Sequence, residues 1–178
     1  LNMSSTIASS ALRRSQLYRR HIDMGAEFIT LGDRVVVSHY GSNEEKQQAQ
    51  HLGLADLSTL PRAGFKGPGT PDWALGLAME LPAQPNRATL QSDGTLVARL
   101  SQSELLLASN LDGLSQCIAN TTEAQLAESV YSLPRSDSHS WLVLCGNQAS
   151  ATLAKVCGVD LRAHKFANGE IAQTSIAK

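Results

Sequence analysis

The sequence predicts an α+β fold of mixed antiparallel sheets and short helices. Three observations carry that expectation. β-rich runs recur close together with turn residues between them, and helix-length segments are bracketed by caps and glycines. The two kinds also alternate without the strand–helix–strand rhythm of a parallel sheet.

In chain order, residues 8–24 place Leu12, Leu17, Ile22 and Met24 among polar residues and end at Gly25, which predicts a helix closed by a C-terminal glycine. Glu27–Leu31 and Arg34–His39 are short β-rich runs on either side of Gly32-Asp33, a hairpin signal. Ser42 stands three residues before Glu45, a capping-box spacing, and opens a polar helix that stops at Gly53. A strand pair is expected at Leu54–Leu60 and Arg62–Lys66, with Pro61 between them. After the turn Gly67-Pro68-Gly69, Thr70 and Pro71 read as an N-cap followed by proline at the first helical position. That helix is expected to run to about Glu80, because Leu81 precedes a proline and is pushed out of the α region.

Ala88–Gln91, Leu96–Leu100 and Glu104–Ser109 then predict a three-stranded antiparallel meander whose first turn is Ser92-Asp93-Gly94. Asn110 or Asp112 is placed to cap a helix reaching Asn120, and Thr122–Ser129 adds a further turn or two. Trp141–Cys145 is a continuous apolar strand. Asn147 begins a helix with Ala149, Leu153 and Val156 on one face, ending at Gly158, and Glu170–Ala177 reads as a last strand. Residues 1–8 are expected to form a disordered tail and residues 9–178 a single domain. The last run reaches Lys178 without a capping turn, so either the chain is shortened there or something else completes the strand.

Composition narrows the functions. Hydrophobic residues make up 42% of the 178 residues and charged residues 17%, enough apolar material for a buried core. With 15 Lys+Arg against 16 Asp+Glu, the net charge of −1 gives no electrostatic reason to expect nucleic acid or an anionic membrane as partner. No run approaches the roughly 18 apolar residues of a membrane span, and the Ser- and Arg-rich start lacks the apolar core of a secretory signal. Cys117, Cys145 and Cys157 form no C-x-x-C pair and read as reduced core residues of a cytoplasmic protein.

Chemistry-bearing motifs are sparse. Gly67-Pro68-Gly69 lacks the spacing of a phosphate loop and reads as a turn. His21, His39, His51, His139 and His164 include no i, i+4 pair with a glutamate between, so no metal ligands are assigned. No G-x-S-x-G elbow is present, and the apolar run around Cys145 argues against a reactive thiol. Arg13, Arg14, Arg19 and Arg20 give the first helix a basic face, read as a solvated surface or, more sharply, a docking patch for an acidic partner.

Three blocks carry a resemblance. Ser15-Gln16-Leu17-Tyr18, His21, Gly25-Ala26, Tyr40-Gly41-Ser42 and Gly53-Leu54-Ala55-Asp56-Leu57-Ser58 resemble the opening of glycine-cleavage aminomethyltransferases (T-proteins), whose fold encloses tetrahydrofolate. Leu81-Pro82-Ala83-Gln84-Pro85-Asn86 and Ser103-Glu104-Leu105-Leu106-Leu107 are similar to the gamma subunit of heterotetrameric sarcosine oxidases. So are Gly146, Cys157-Gly158-Val159-Asp160-Leu161, Phe166-Ala167-Asn168-Gly169, Gln173-Thr174 and Lys178.

The resemblance implies a non-catalytic gamma-type subunit within the aminomethyltransferase-like fold. Its cytoplasmic complex oxidatively demethylates sarcosine to glycine and passes the one-carbon unit to tetrahydrofolate. FAD, FMN, NAD and tetrahydrofolate are then implied on the larger partner subunits, with no cofactor and no catalytic or metal-binding residue on this chain. The alternative is a folate-binding or aminomethyltransferase-like protein acting alone, with Asp93 as its catalytic carboxylate. Against it, the paired aspartates of aminomethyltransferases are represented here by Asp93 and Gly94, and Asp-Gly is itself a turn signature. The K-G-C-Y-x-G-Q type motif of tRNA-modifying folate proteins has no counterpart.

Overall fold

Short elements joined by turn chemistry set the architecture. The computed structural model describes residues 13–177, so the expected tail at 1–8 lies outside the described residues, as does the start of the first expected helix. In chain order the elements are α1 (Tyr18–Asp23), β1 (Glu27–Leu31), β2 (Arg34–His39), α2 (Glu45–His51), β3 (Gly53–Asp56), β4 (Arg62–Lys66) and α3 (Thr70–Gly76). They continue with β5 (Arg87–Leu90), β6 (Leu96–Ser101), β7 (Glu104–Ala108), α4 (Gln116–Glu123), β8 (Tyr131–Leu133), β9 (Leu142–Cys145) and α5 (Ala149–Leu153). Helices and antiparallel sheets without parallel crossovers make this the α+β class that the sequence predicts. The described residues divide into two compact units, one of 13–60 with 139–152 and one of 61–138 with 153–177.

In the first unit, the helix expected over 8–24 begins only at Tyr18. The Arg13 backbone instead joins the start of β2, donating to the Asp33 carbonyl at 3.2 Å and accepting from the Val35 N–H at 3.0 Å. Arg13 and Arg14 therefore lie ahead of the helix, and only Arg19 and Arg20 of the expected basic face are on it. The helix closes as expected. Gly25, at φ +79°, donates to the Ile22 carbonyl, and Ala26 donates to that of His21, each at 2.9 Å. β1 and β2 form the expected hairpin, with Leu31 opposite Arg34 around Gly32 at φ +62°.

Glu45 supplies half of the expected capping box. Its carboxylate accepts the N–H groups of Ser42 at 3.1 Å and Tyr40 at 2.7 Å, while the Ser42 hydroxyl takes the N–H of Glu44. β3 and β4 do not pair as expected. β3 pairs antiparallel with β9, from Gly53 opposite Cys145 to Asp56 opposite Leu142. The Asp56 carboxylate accepts the Ser58 N–H at 2.9 Å and Leu60 donates to the Leu57 carbonyl at 2.9 Å, so the chain turns where the longer strand was expected.

The second unit is built on a five-stranded antiparallel sheet in the order β5-β6-β7-β4-β8, and its β5-β6-β7 portion is the expected meander. Alternation on β7 sends Leu105 and Leu107 into the core, where Val97, Phe65, Ala74, Met79 and Val130 join them. Each large apolar side chain buried this way contributes about 1.5–3 kcal/mol. α3 stacks Trp73 on Phe65 with ring centroids 4.7 Å apart. That helix ends at Gly76 rather than near Glu80, because Ala78 adopts φ +60° and Met79 turns its N–H back to the Ala74 carbonyl. Glycine is required at Gly67, where φ is +133° and an added Cβ would stand 1.9 Å from the Ser129 carbonyl oxygen.

Four further expectations are corrected. α4 is capped by Ser115, whose hydroxyl accepts the Ile118 N–H at 2.9 Å, and not by Asn110 or Asp112. No helix follows at 122–129 beyond Glu123, and the helix expected from Asn147 is reduced to the five residues of α5. Residues 170–177 make only isolated bridges, Arg87 with Glu170 and Cys157 with Ile176. The segment serves instead as a strap on the exposed edge of β5. Ala88 donates to Gly169 at 2.7 Å, Ile171 donates to Asn86 at 2.9 Å, and Arg87 pairs with Glu170 at 2.9 Å.

Ser115 carries two loads, since its hydroxyl also meets that of the fully buried Thr95 at 2.5 Å. Ser115→Ala is expected to cost about 2 kcal/mol, read as a shift of the urea midpoint, because it removes a cap and leaves a buried hydroxyl unpartnered. An unchanged midpoint contradicts that assignment.

Candidate functional site

Residues far apart in the chain converge in the first unit on the carboxylate of Asp56, at the end of β3. His21, buried on α1, places Nε2 at 2.8 Å from Asp56 Oδ2 and Nδ1 at 2.7 Å from the Tyr40 hydroxyl just beyond β2. The Ser15 hydroxyl donates to the same Oδ2 and accepts the Leu17 N–H at 3.0 Å, while Oδ1 takes the Ser58 N–H. Ser58 in turn accepts the Trp141 N–H on its hydroxyl at 2.9 Å, extending the network to the start of β9.

The electrostatics follow from this placement. Burial acts to raise the Asp56 pKa, but hydrogen bonds from Ser15, Ser58 and His21 outweigh it and hold the carboxyl below its ordinary value. The Tyr40 phenol is pushed up by burial, with the charges of Asp56 and Glu45 adding to the effect. With Asp56 ionised, His21 donates from Nε2 to the carboxylate, and its Nδ1 shares a hydrogen bond with the Tyr40 hydroxyl.

Serine, histidine and aspartate are all present, but their arrangement is not that of a hydrolytic triad: the Ser15 hydroxyl bonds the aspartate, and the histidine faces Tyr40. The void beside them, lined by Phe28, Val35 and Thr59 among others, is about 10 Å³, the size of one water and too small for a substrate. Chemically the cluster is a buried polar clamp joining α1, β2, β3 and β9.

Asp93, the one candidate catalytic residue, lies in the β5–β6 turn of the second unit. Its carboxylate accepts the Thr95 N–H at 2.8 Å on one oxygen and the Cys117 N–H at 2.9 Å on the other, at the N-terminus of α4. Burial again acts upward, and these backbone hydrogen bonds bring the net pKa below the ordinary value. Each oxygen thereby holds a backbone N–H group of the protein. A cavity of about 180 Å³ adjoins Asp93 and Cys117. The Cys117 thiol is pushed up to about 11 by burial and by the Asp93 charge, which leaves it protonated and unreactive.

The remaining candidates disperse. His39, His51, His139 and His164 are exposed, and no group of three or more His, Cys, Asp or Glu among the described residues is placed to hold a metal. Cys157 is buried as expected for a core thiol, whereas Cys145 is exposed at the end of β9. A larger cleft of about 530 Å³ runs between α4 and the β4–β8 pair. Its two guanidiniums are held by protein acceptors, Arg62 by the Ser136 carbonyl at 2.7 Å and Arg135 by Glu104 at 2.6 Å. No helix among the described residues is long and apolar enough to cross a membrane.

No protein-family model matches the sequence, and no curated protein matches it. Solved structures do. The chain is similar to the glycine cleavage system aminomethyltransferase T of Bartonella henselae, at 20% identity and a TM-score of 0.57. That match covers 82% of this chain and 44% of the other, so the chain spans less than half the length of that aminomethyltransferase. It is also similar to a chain of the heterotetrameric sarcosine oxidase of Corynebacterium sp. U-96, at 26% identity and a TM-score of 0.59, over 93% of this chain and 77% of the other. The fold is thus aminomethyltransferase-like.

The Asp56 clamp was not anticipated as a unit, although Ser15, His21, Tyr40, Asp56 and Ser58 all belong to the first block of resemblance. Asp56→Asn is expected to cost about 3 kcal/mol at neutral pH, by weakening charge-assisted hydrogen bonds inside the protein. Because folding lowers the pKa of Asp56, its contribution is complete above the unfolded value near 3.9 and is lost as pH falls through the lower folded value. Urea denaturation across the acid range should therefore show the gap between wild type and Asp56→Asn closing below about pH 4. A gap that stays constant with pH contradicts the clamp's ionic character.

Proposed function

We propose that this chain is the small, non-catalytic, gamma-type subunit of a heterotetrameric sarcosine oxidase-type complex. The observation that carries the reading is the similarity to a chain of such an oxidase over nearly the whole sequence. Since 93% of this chain corresponds to 77% of that one, the matched chain is only about a fifth longer than this one. By the same comparison the matched aminomethyltransferase is close to twice as long.

The site chemistry supports the same direction. Asp93, the carboxylate that a catalytic reading would use, accepts backbone N–H groups on both oxygens inside its own unit. In this reading FAD, FMN, NAD and tetrahydrofolate are held by the larger subunits, where sarcosine is demethylated to glycine. This chain contributes surface that covers and orders them, in the cytoplasm, where its three free cysteines stay reduced. An interface of at least about 1,000 Å² is required for a stable contact of that kind. The alternative of a folate-dependent aminomethyltransferase acting alone has only Asp93 to use.

The test is expression of the chain by itself and recovery of the tagged chain from its own host. Alone it is expected to aggregate. From the host it is expected to bring down larger subunits with flavin absorbance. A stable, colourless monomer that binds tetrahydrofolate contradicts the proposal and favours the alternative.

A further inference from the structure

We propose that the leucine-bearing end of the five-stranded sheet is the face on which this chain docks to a larger subunit, and that the partner presents an apolar surface flanked by lysines or arginines. The inference rests on the subunit reading above and adds to it the face used and the chemistry of the partner.

Leu90, Leu96, Leu111 and Leu114 are 68%, 37%, 74% and 71% exposed, together equivalent to two and a half fully exposed leucines. Scattered exposed leucines are ordinary, but these four are grouped. Leu90 and Leu96 are partners that close the β5–β6 hairpin, and Leu96 lies opposite Ala108 at the end of β7, where the chain enters the 110–114 loop. Asn110 fastens that loop to the hairpin. Its side-chain amide donates to the Asp93 carbonyl at 3.1 Å and its Oδ1 accepts the Leu114 N–H at 3.0 Å, while Gly113 donates to its carbonyl at 3.0 Å. Asp93 anchors the same turn to α4 through Cys117. Apolar side chains held outward on a frame already fixed by hydrogen bonds lose little entropy on docking, which suits them as interface anchors.

Charge selects the partner. Between Arg99 and Arg135 the sequence has no Lys, Arg or His, and Asp112 is the acid of the 110–114 loop itself, since Glu104 is paired with Lys66 and Arg135 at the other end of β7; between Arg87 and Arg99 the only charge is Asp93. Arg87 and Arg99 face each other at the far end of the hairpin, three residues or about 10 Å of strand from Leu90 and Leu96. Exposed Asp112 stands between Leu111 and Leu114 with no cation in the surrounding sequence. The complementary surface is therefore apolar with a basic margin. A second copy of this chain is a poor occupant, because a two-fold axis there would bring Asp112 against its own copy without compensation.

The test uses the full tagged chain recovered from its host, with co-purified flavin and the masses of the larger subunits as the readout. Leu111→Glu with Leu114→Glu is expected to cut recovered flavin by about tenfold or more, as loss of central anchors does. Leu54→Glu, at a comparably exposed position in the first unit, is expected to leave it unchanged. Asp112→Lys is a second probe that changes one exposed side chain. It is expected to lower recovery at low salt without altering the thermal melt, and Asp112→Asn to flatten the loss of recovery with added salt. Wild-type flavin recovery by the double glutamate variant overturns the docking face and leaves the subunit reading standing. Full recovery by Asp112→Lys overturns the basic partner. A wild-type chain that brings down no flavin protein overturns both readings.

Discussion

The first unit depends on one buried carboxylate. Asp56 receives His21 and the hydroxyl of Ser15 on one oxygen and the Ser58 N–H on the other, and through them holds α1, the end of β2 and the 57–60 turn against the two-stranded pair of β3 and β9. Neither the β1–β2 hairpin nor the β3–β9 pair would be stable by itself, since isolated two-stranded ribbons are marginal in water. Polar convergence stands in for apolar bulk there: among the described residues of the unit, Val35 and Leu60 are the buried hydrophobic ones. A half-satisfied version of such a network would be worse than none, because each buried polar atom left alone costs its full desolvation.

The second unit solves the same problem with a conventional core and uses its carboxylate more locally. Asp93 sits in a hairpin turn, yet its acceptors reach the N-terminus of α4, so hydrogen bonds tie the turn to the helix and to the 110–114 loop. The one acidic residue that a catalytic reading would single out is thus bonded to the backbone on both oxygens. At one end of its sheet the unit leaves Leu90, Leu111, Leu114 and Asp112 exposed on a hydrogen-bonded frame.

How much of this was legible in the sequence depends on range. The Gly32-Asp33 hairpin, the meander around Ser92-Asp93-Gly94, the strand beginning near Trp141 and the glycine end of α1 all follow from turn and cap chemistry within a few residues, and all are present. Where tertiary partners decide, the reading failed. Leu54 pairs with Leu144 of β9, ninety residues away, rather than with its neighbour β4. Arg13 is drawn out of helix by the edge of β2, and Ser115 takes the cap because Thr95 is buried beside it. The last run, rich in strand formers, spends its hydrogen bonds on the edge of β5 and never becomes a strand. The Asp56 clamp was hidden for the same reason: Ser15 and Asp56 are forty-one residues apart, and no local pattern joins them.

These pieces make a chain whose polar side chains hold its own elements together and which leaves a group of leucines exposed at one end of a sheet. The most direct test of that account is native mass spectrometry of the flavin-containing fraction from the host. The account predicts one copy of this chain in a complex with larger, different subunits that carry the flavin. A free chain, or an assembly made only of copies of it, would contradict it.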